Sequence, residues 1–340
     1  DRVALLTRIS GLEEDRLHDP AAAFRSIAAA VEIDPAESLV REELARLARM
    51  RDAERERAAV LEKAIAKSEG DAALVCELLL ELAQVWDDAV GEPEPAEAAY
   101  RRLIAAGPDE PELLLEAARA LERIHLAKGD HAALAEDLAL QVRLETDPDT
   151  RGRLLVRLAD LREELLGDVP GAIAAHRQRL EIDPGDLDAM SALERLLEQT
   201  SAWTDLIEVL RARDAAVTDP DEQRAIARRI GAIFEEHLED SDQAIAAYDD
   251  VLSRFGTDTE TLGALSRLYE QAERWHDLLQ VAEMVFEMAE RAPVRAAVRY
   301  QMAEIMRGYL GEAERAVEAY GEALDLVPDH EGAIESRRAA

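Results

Sequence analysis

Gly167-Asp168-Val169-Pro170-Gly171-Ala172-Ile173-Ala174-Ala175-His176, followed by Leu180-Glu181-Ile182-Asp183-Pro184, decides the fold, because its pattern returns along the chain. Ala96-Glu97-Ala98-Ala99-Tyr100, Ala244-Ile245-Ala246-Ala247-Tyr248 and Ala316-Val317-Glu318-Ala319-Tyr320 repeat its central motif, and Ala23-Phe24-Arg25-Ser26-Ile27 is a divergent earlier copy. Eight residues after the last position of each copy stand Pro35, Pro108, Pro184, Gly256 and Pro328. The copies begin 73, 76, 72 and 72 residues apart. A second motif interleaves at the same period: Ala120-Leu121-Glu122-Arg123-Ile124, Ala192-Leu193-Glu194-Arg195-Leu196 and Ala264-Leu265-Ser266-Arg267-Leu268. A fixed period of this kind marks a repeat architecture, in which each unit buries its apolar face only against its neighbours.

Each half of the unit predicts two helices. Leu154, Leu155, Leu158, Leu161 and Leu165 recur at three- and four-residue steps, which places them on one helical face before Gly167 ends the helix. Ala172, Ile173, Ala175, His176 and Leu180 form the inner face of the next helix, which Pro184 stops, and the small alanines predict close packing at Ala172, Ala244 and Ala316. Thr146-Asp147-Pro148-Asp149 and Thr218-Asp219-Pro220-Asp221 open later helices with an Asp N-cap and a Pro in the first turn, and Glu222 completes a capping-box pattern after Asp219. The expected fold is all-α, with more than about three-quarters of residues helical, and the super-repeats run at about 1–70, 71–148, 149–220, 221–293 and an incomplete 294–340.

Composition narrows the classes. The 340 residues carry 74 acidic against 40 basic side chains, a formal charge of -34, which disfavours nucleic acid because an acidic surface repels phosphate. Cys76 is the only cysteine, so no disulfide framework exists. No apolar run approaches the roughly 18 residues of a membrane span, and the N-terminus lacks the layout of a signal peptide. Among basic residues only Lys63, Lys67 and Lys128 are not arginine, and Asn is absent, a usage that points to a GC-rich, bacterial genome.

The half-unit 167–184 resembles the second part of a tetratricopeptide repeat, with a small residue after the turn, an aromatic four residues on at Tyr100, Tyr248 and Tyr320, and a Pro eight later at Pro184 and Pro328. His176 departs from the aromatic place, and each first helix reads about one residue longer than the family's pattern. In the alternate halves Trp203 and Trp275 stand at the turn where the family often has an aromatic, and His131 aligns with them. The resemblance implies a right-handed α-solenoid of stacked antiparallel helix hairpins, about 19 helices in one array. Five first hairpins, four second hairpins and a stub from Gly332 to Ala340 make the count. A chain that starts and stops inside repeat helices, without polar caps, reads as a piece of a longer protein.

Catalytic and metal signals are weak. The seven histidines fall singly, with no HExxH pair, Cys76 lies in an apolar run, and no glycine-rich phosphate loop occurs. We therefore expect no enzymatic activity, no cofactor and no metal. The resemblance implies that the first helix of each hairpin lines a groove, where Arg8, Glu81, Arg157, Arg229 and Gln301 occupy one equivalent site and Glu13, Trp86, Arg162, Phe234 and Met306 a second. Arg157 and Arg229 form a basic stripe suited to carboxylates, or else pair with the surrounding Asp and Glu. Of these, Arg8, Arg157, Arg229, Trp86 and Phe234 are the candidate binding residues. Trp203 and Trp275 are expected to be mostly buried packing wedges. The family's terminal-carboxylate clamp of Lys and Asn has no counterpart here, since Asn is missing. The expected function is a protein–protein interaction scaffold, with a self-assembling module or a regulatory arm of a larger protein as alternatives. The expected location is the cytoplasm, or the periplasm given a signal peptide upstream.

Overall fold

Aspartates punctuate the chain, and the helices start where they stand. Asp19, Asp71, Asp130, Asp147, Asp186, Asp219, Asp240 and Asp258 each cap a helix by accepting first-turn backbone N–H bonds. The computed structural model describes residues 2–339; Asp1 and Ala340, the expected last residue of the stub, lie outside the described residues. Among the described residues there are 19 α-helices and no strand, and 83% of the chain is helical.

The contacts divide the chain into two compact units, one ending at Ile182 and one beginning at Asp183. In the first, α1 (Arg2–Asp15), α2 (Pro20–Ile33), α3 (Ser38–Arg51), α4 (Glu54–Lys67), α5 (Ala72–Gln84), α6 (Pro93–Ala106), α7 (Pro111–Lys128), α8 (His131–Leu144), α9 (Pro148–Asp160) and α10 (Val169–Ile182) each pack on the next. In the second, the same holds for α11 (Leu187–Gln199), α12 (Trp203–Ala216), α13 (Pro220–Glu236), α14 (Ser241–Phe255), α15 (Thr259–Gln271), α16 (Trp275–Met288), α17 (Ala292–Ile305), α18 (Ala313–Leu326) and α19 (Glu331–Ala339). Each unit is thus a run of helix hairpins packed in sequence, the α-solenoid arrangement.

The extra residue of each first helix goes into its last turn. α5, α9 and α17 continue into π-helical turns at Val85–Val90, Leu161–Leu165 and Met306–Leu310. All five first helices close alike: the carbonyls of Glu13, Trp86, Arg162, Phe234 and Met306 accept the N–H six residues on, from Asp19, Glu92, Asp168, Asp240 and Glu312. The aligned second set is therefore set apart by its backbone position in a widened turn.

The constant positions of the repeat are its core. Ala172, Ala244 and Ala316 are wholly buried, and Tyr100, His176, Tyr248 and Tyr320 are buried too. At matching first-helix positions stand Ala83, Ala159, Gly231 and Ala303, all small and buried. At Gly231 the approach is closest: a Cβ there would stand 2.7 Å from the Tyr248 ring. Left-handed turns fall at Gly129, Gly167 and Gly311, where the missing side chain relieves the positive φ.

One expectation is corrected. Glu222 does not close a capping box on Asp219; it accepts from Arg213 at 2.8 Å, because a guanidinium offers a stronger charge-assisted bond than a cap N–H. Trp203 and Trp275 are each largely covered and stacked on an aromatic ring, His237 and Tyr309.

Candidate functional site

A single acidic side chain on a first helix ties three helices together, and the device recurs. Asp87, at the end of the first helix that includes α5, accepts from Tyr100 on α6 at 3.5 Å and from Arg123 on α7. Glu235 on α13 does the same with Tyr248 of α14, at 3.2 Å, and Arg267 of α15, at 3.1 Å. Burial, then the neighbouring carboxylate, pushes the Tyr248 phenol above its ordinary range, so it stays a donor. In the last first hairpin, Tyr320 donates to Glu304 at 2.6 Å and its pKa is pushed up to about 12 by burial and that bond.

The second hairpins carry the same bridge from the other motif. Glu122 on α7 accepts from Gln141 on α8 at 2.5 Å and pairs with Arg157 on α9. Seventy-two residues on, Glu194 on α11 accepts from Arg213 on α12 at 2.8 Å and from Arg229 on α13 at 2.7 Å. Arg229 also holds Glu198 at 2.9 Å. Glu194 is buried, and this double pairing meets its charge.

Of the candidate binding residues, Arg157 is therefore engaged with Glu122 of α7, and Arg229 with Glu194 and Glu198 of α11. Arg8 is exposed, with no partner among the described residues. Trp86 is half-buried against the core of its unit. Phe234 lines a cavity of about 270 Å³ with Arg211 of α12 and Ala247 of α14, whereas Arg229 lies beside Arg267 and Glu260 of α15. Five residues separate them on one helix, about 140° of rotation, so the two aligned sets do not share a face.

The next repeat breaks the bridge. Glu194, Arg213 and Arg229 are replaced by Ser266, Val285 and Gln301, while Leu210 becomes Ala282 and Ser191 becomes Gly263. Every change removes volume, and a cavity of about 500 Å³ lies there, walled by α15, α16 and α17. Leu278, Val298 and Ile305 line it, and Trp275, stacked on Tyr309 at 3.8 Å, lies at its side. Glu270, at the position of Glu198, is exposed and has no cationic partner among the described residues. The signal was present in the sequence, as Ser266 in a motif whose siblings have Glu122 and Glu194.

Two other polar clusters are closed. A cavity of about 680 Å³ on α3 is lined by Arg41, Arg46, Arg49 and Arg57, but Arg41 is paired with Glu77 and Glu81, Arg46 with Glu14 and Glu43, and Arg57 with Glu54 and Glu81. His125 is buried against Asp137 at 2.5 Å, a pair that single-histidine reasoning missed. Burial pushes Asp137 above the usual carboxylate range, with His125 opposing the shift. Cys76 is buried, and burial raises its thiol pKa, which disfavours the thiolate. Among the described residues no group of three His, Cys, Asp or Glu could hold a metal ion, and no helix is long and apolar enough to cross a membrane.

No protein-family model and no curated protein matches the chain. The similar solved structures include tetratricopeptide-repeat proteins. YrrB, a TPR protein with an unusual peptide-binding site, is 18% identical over 54% of this chain and 91% of its own, with a TM-score of 0.31. The TPR domain of P58(IPK) is 15% identical over 100% of this chain and 97% of its own, with a TM-score of 0.28. A tetratricopeptide repeat protein from Parabacteroides merdae is 14% identical over 99% and 98%, also with a TM-score of 0.28.

Proposed function

We propose that the chain is a non-enzymatic scaffold that binds partner proteins through exposed residues on the first helices of its hairpins. One observation carries the reading. The residues that the repeat keeps constant, Ala172, Ala244, Ala316 and the rings at Tyr100, Tyr248 and Tyr320, are spent on packing, while the first-helix position that varies from repeat to repeat pairs with neighbouring helices at Glu81, Arg157 and Arg229 and leaves Arg8 and Gln301 exposed with no partner among the described residues. A surface that must only stack would repeat its chemistry; one that reads a partner varies it. Recognition here rests on shape, apolar contact and charge, and the excess of carboxylates favours basic partners.

The test is capture of proteins from a lysate of the source organism, identified by mass spectrometry, with the chain as bait. Arg8→Glu and Gln301→Glu, both on first helices, should change the captured set, and Glu318→Ala, on the exposed side of a second helix, should not. Capture of the chain alone, together with concentration-dependent light scattering, would replace the scaffold by a self-assembling module.

A further inference from the structure

Resting on the scaffold reading, we propose that the cavity between α15, α16 and α17 receives an arginine side chain from a basic segment of the partner. The protein itself shows what belongs there. One repeat earlier, the corresponding space holds the guanidinium groups of Arg213 and Arg229, which converge on Glu194. Arg229 reaches on to Glu198, at 2.9 Å. With Val285 and Gln301 in place of both arginines, the cations are gone and their volume is open. Glu194 is gone too, as Ser266, so no buried carboxylate is stranded by the loss. The outer carboxylate is retained: Glu270 stands where Glu198 does, exposed and without a cation among the described residues.

The remaining walls suit the same occupant. A guanidinium is planar, weakly hydrated and stacks on aromatic faces, and its aliphatic stem lies well against apolar side chains. The stacked rings of Trp275 and Tyr309 offer the aromatic wall, and Leu278 and Val298 offer apolar lining. The second carboxylate of the cavity, Glu304, is already committed to Tyr320, Ser336 and Arg307, which leaves Glu270 as the partner for an incoming charge. A lysine would pair with Glu270 but gain less from the aromatic wall, since its ammonium is a compact, strongly hydrated point charge. The net charge of -34 draws such a segment in from a distance.

The test uses a fluorescently labelled, end-capped pentapeptide Gly-Leu-Arg-Leu-Gly and the same peptide with citrulline, the neutral isostere of arginine, read by anisotropy against the full chain. The arginine peptide should bind saturably, and the citrulline peptide should bind about tenfold more weakly, the scale of one charge-assisted bond. Glu270→Gln should weaken the arginine peptide by about three- to tenfold, as for a partly exposed pair. Ser266→Glu with Gln301→Arg restores the Glu194–Arg229 arm of the preceding repeat's bridge, places a cation in the cavity and should abolish binding. Because Glu270 is exposed, its variant folds whether or not the double variant does, which circular dichroism checks. Equal binding of arginine and citrulline peptides would reduce the site to a shape-selective apolar pocket and overturn the proposal. So would an unaffected Glu270→Gln variant, or no binding by either peptide. Partner capture from lysate is read separately, so capture that persists without peptide binding sinks this proposal and leaves the scaffold standing.

Discussion

Trp275 lies flat on Tyr309, with ring centroids 3.8 Å apart and planes 14° apart, and 72 residues earlier Trp203 lies on His237 at 3.7 Å and 2°. In both places the first residue of a second helix covers the end of the following first helix, where that helix makes its widened closing turn. The tryptophans are largely but not wholly covered, with one ring face packed. In single-tryptophan chains, acrylamide should therefore quench Trp203 and Trp275 with an efficiency between that of free indole and that of a buried side chain. Quenching equal to free indole would show that neither stack forms.

Gly231 and Gly152 separate packing from helix propensity. Both are helical glycines, but a Cβ at Gly231 meets the Tyr248 ring while one at Gly152 meets nothing within 4 Å. Gly152→Ala should stabilise the chain by about 0.5–1 kcal/mol through propensity alone. Gly231→Ala should destabilise it, because overpacking costs about 1–3 kcal/mol and exceeds that gain. Urea titrations of both variants measure the difference. A Gly231→Ala chain as stable as Gly152→Ala would place the Tyr248 ring elsewhere.

Glu194 and Glu260 separate a bridging carboxylate from a surface pair. Glu194→Ala leaves Arg213 and Arg229 without their shared acceptor and should cost about 1–3 kcal/mol. Glu260→Ala removes one of two partners of Arg228, the other being Asp258, from a position that is 77% exposed on the acid's side chain, and should cost under about 1 kcal/mol. Chemical denaturation resolves the two. Equal losses would mean that the bridge adds nothing beyond an ordinary ion pair.

Much of this arrangement was legible in the chain. The spacing of Ala172, Ala244 and Ala316 identified the buried seam, and the Asp-Pro pairs at Asp147 and Asp219 identified helix starts, because such local signals depend on backbone geometry that the repeat holds fixed. The surplus residue of the first helices was visible as a length, but not as a π turn. Partners across helices were not legible. Arg157 finds Glu122 and Arg229 finds Glu194 over 35 residues, through long side chains whose rotamers no periodicity specifies. Trp86 and Phe234 were grouped with the arginines by alignment alone, although helical rotation turns those positions to another side. The cavity was the hardest to see, since it needs Ser266, Ala282, Val285 and Gln301 together, on three helices.

Glu97 supplies a pH dependence whose sign is fixed by its neighbours. The hydrogen bond from Lys128, with a further contribution from His125, holds its carboxyl below the usual range. A carboxyl lowered on folding lends stability that is full above its unfolded pKa and is lost as pH falls through the folded one. Glu97→Gln should therefore lower Tm near neutral pH by more than it does in acid, and the difference between variant and parent should shrink between about pH 5 and 3. A constant difference across that range would show that the Lys128 contact is not made in solution.

The open bridge at Ser266 is tested most directly at the ring beside it. A chain with Trp86→Phe and Trp203→Phe keeps Trp275 as its only indole, and its emission can be followed while the capped Gly-Leu-Arg-Leu-Gly peptide is added. We predict a saturable change in Trp275 emission with the arginine peptide, at the concentrations where anisotropy reports binding, and a much weaker response to citrulline. An emission that stays constant while the peptide binds, or one that responds equally to both peptides, would contradict a guanidinium seated against Trp275 and Glu270.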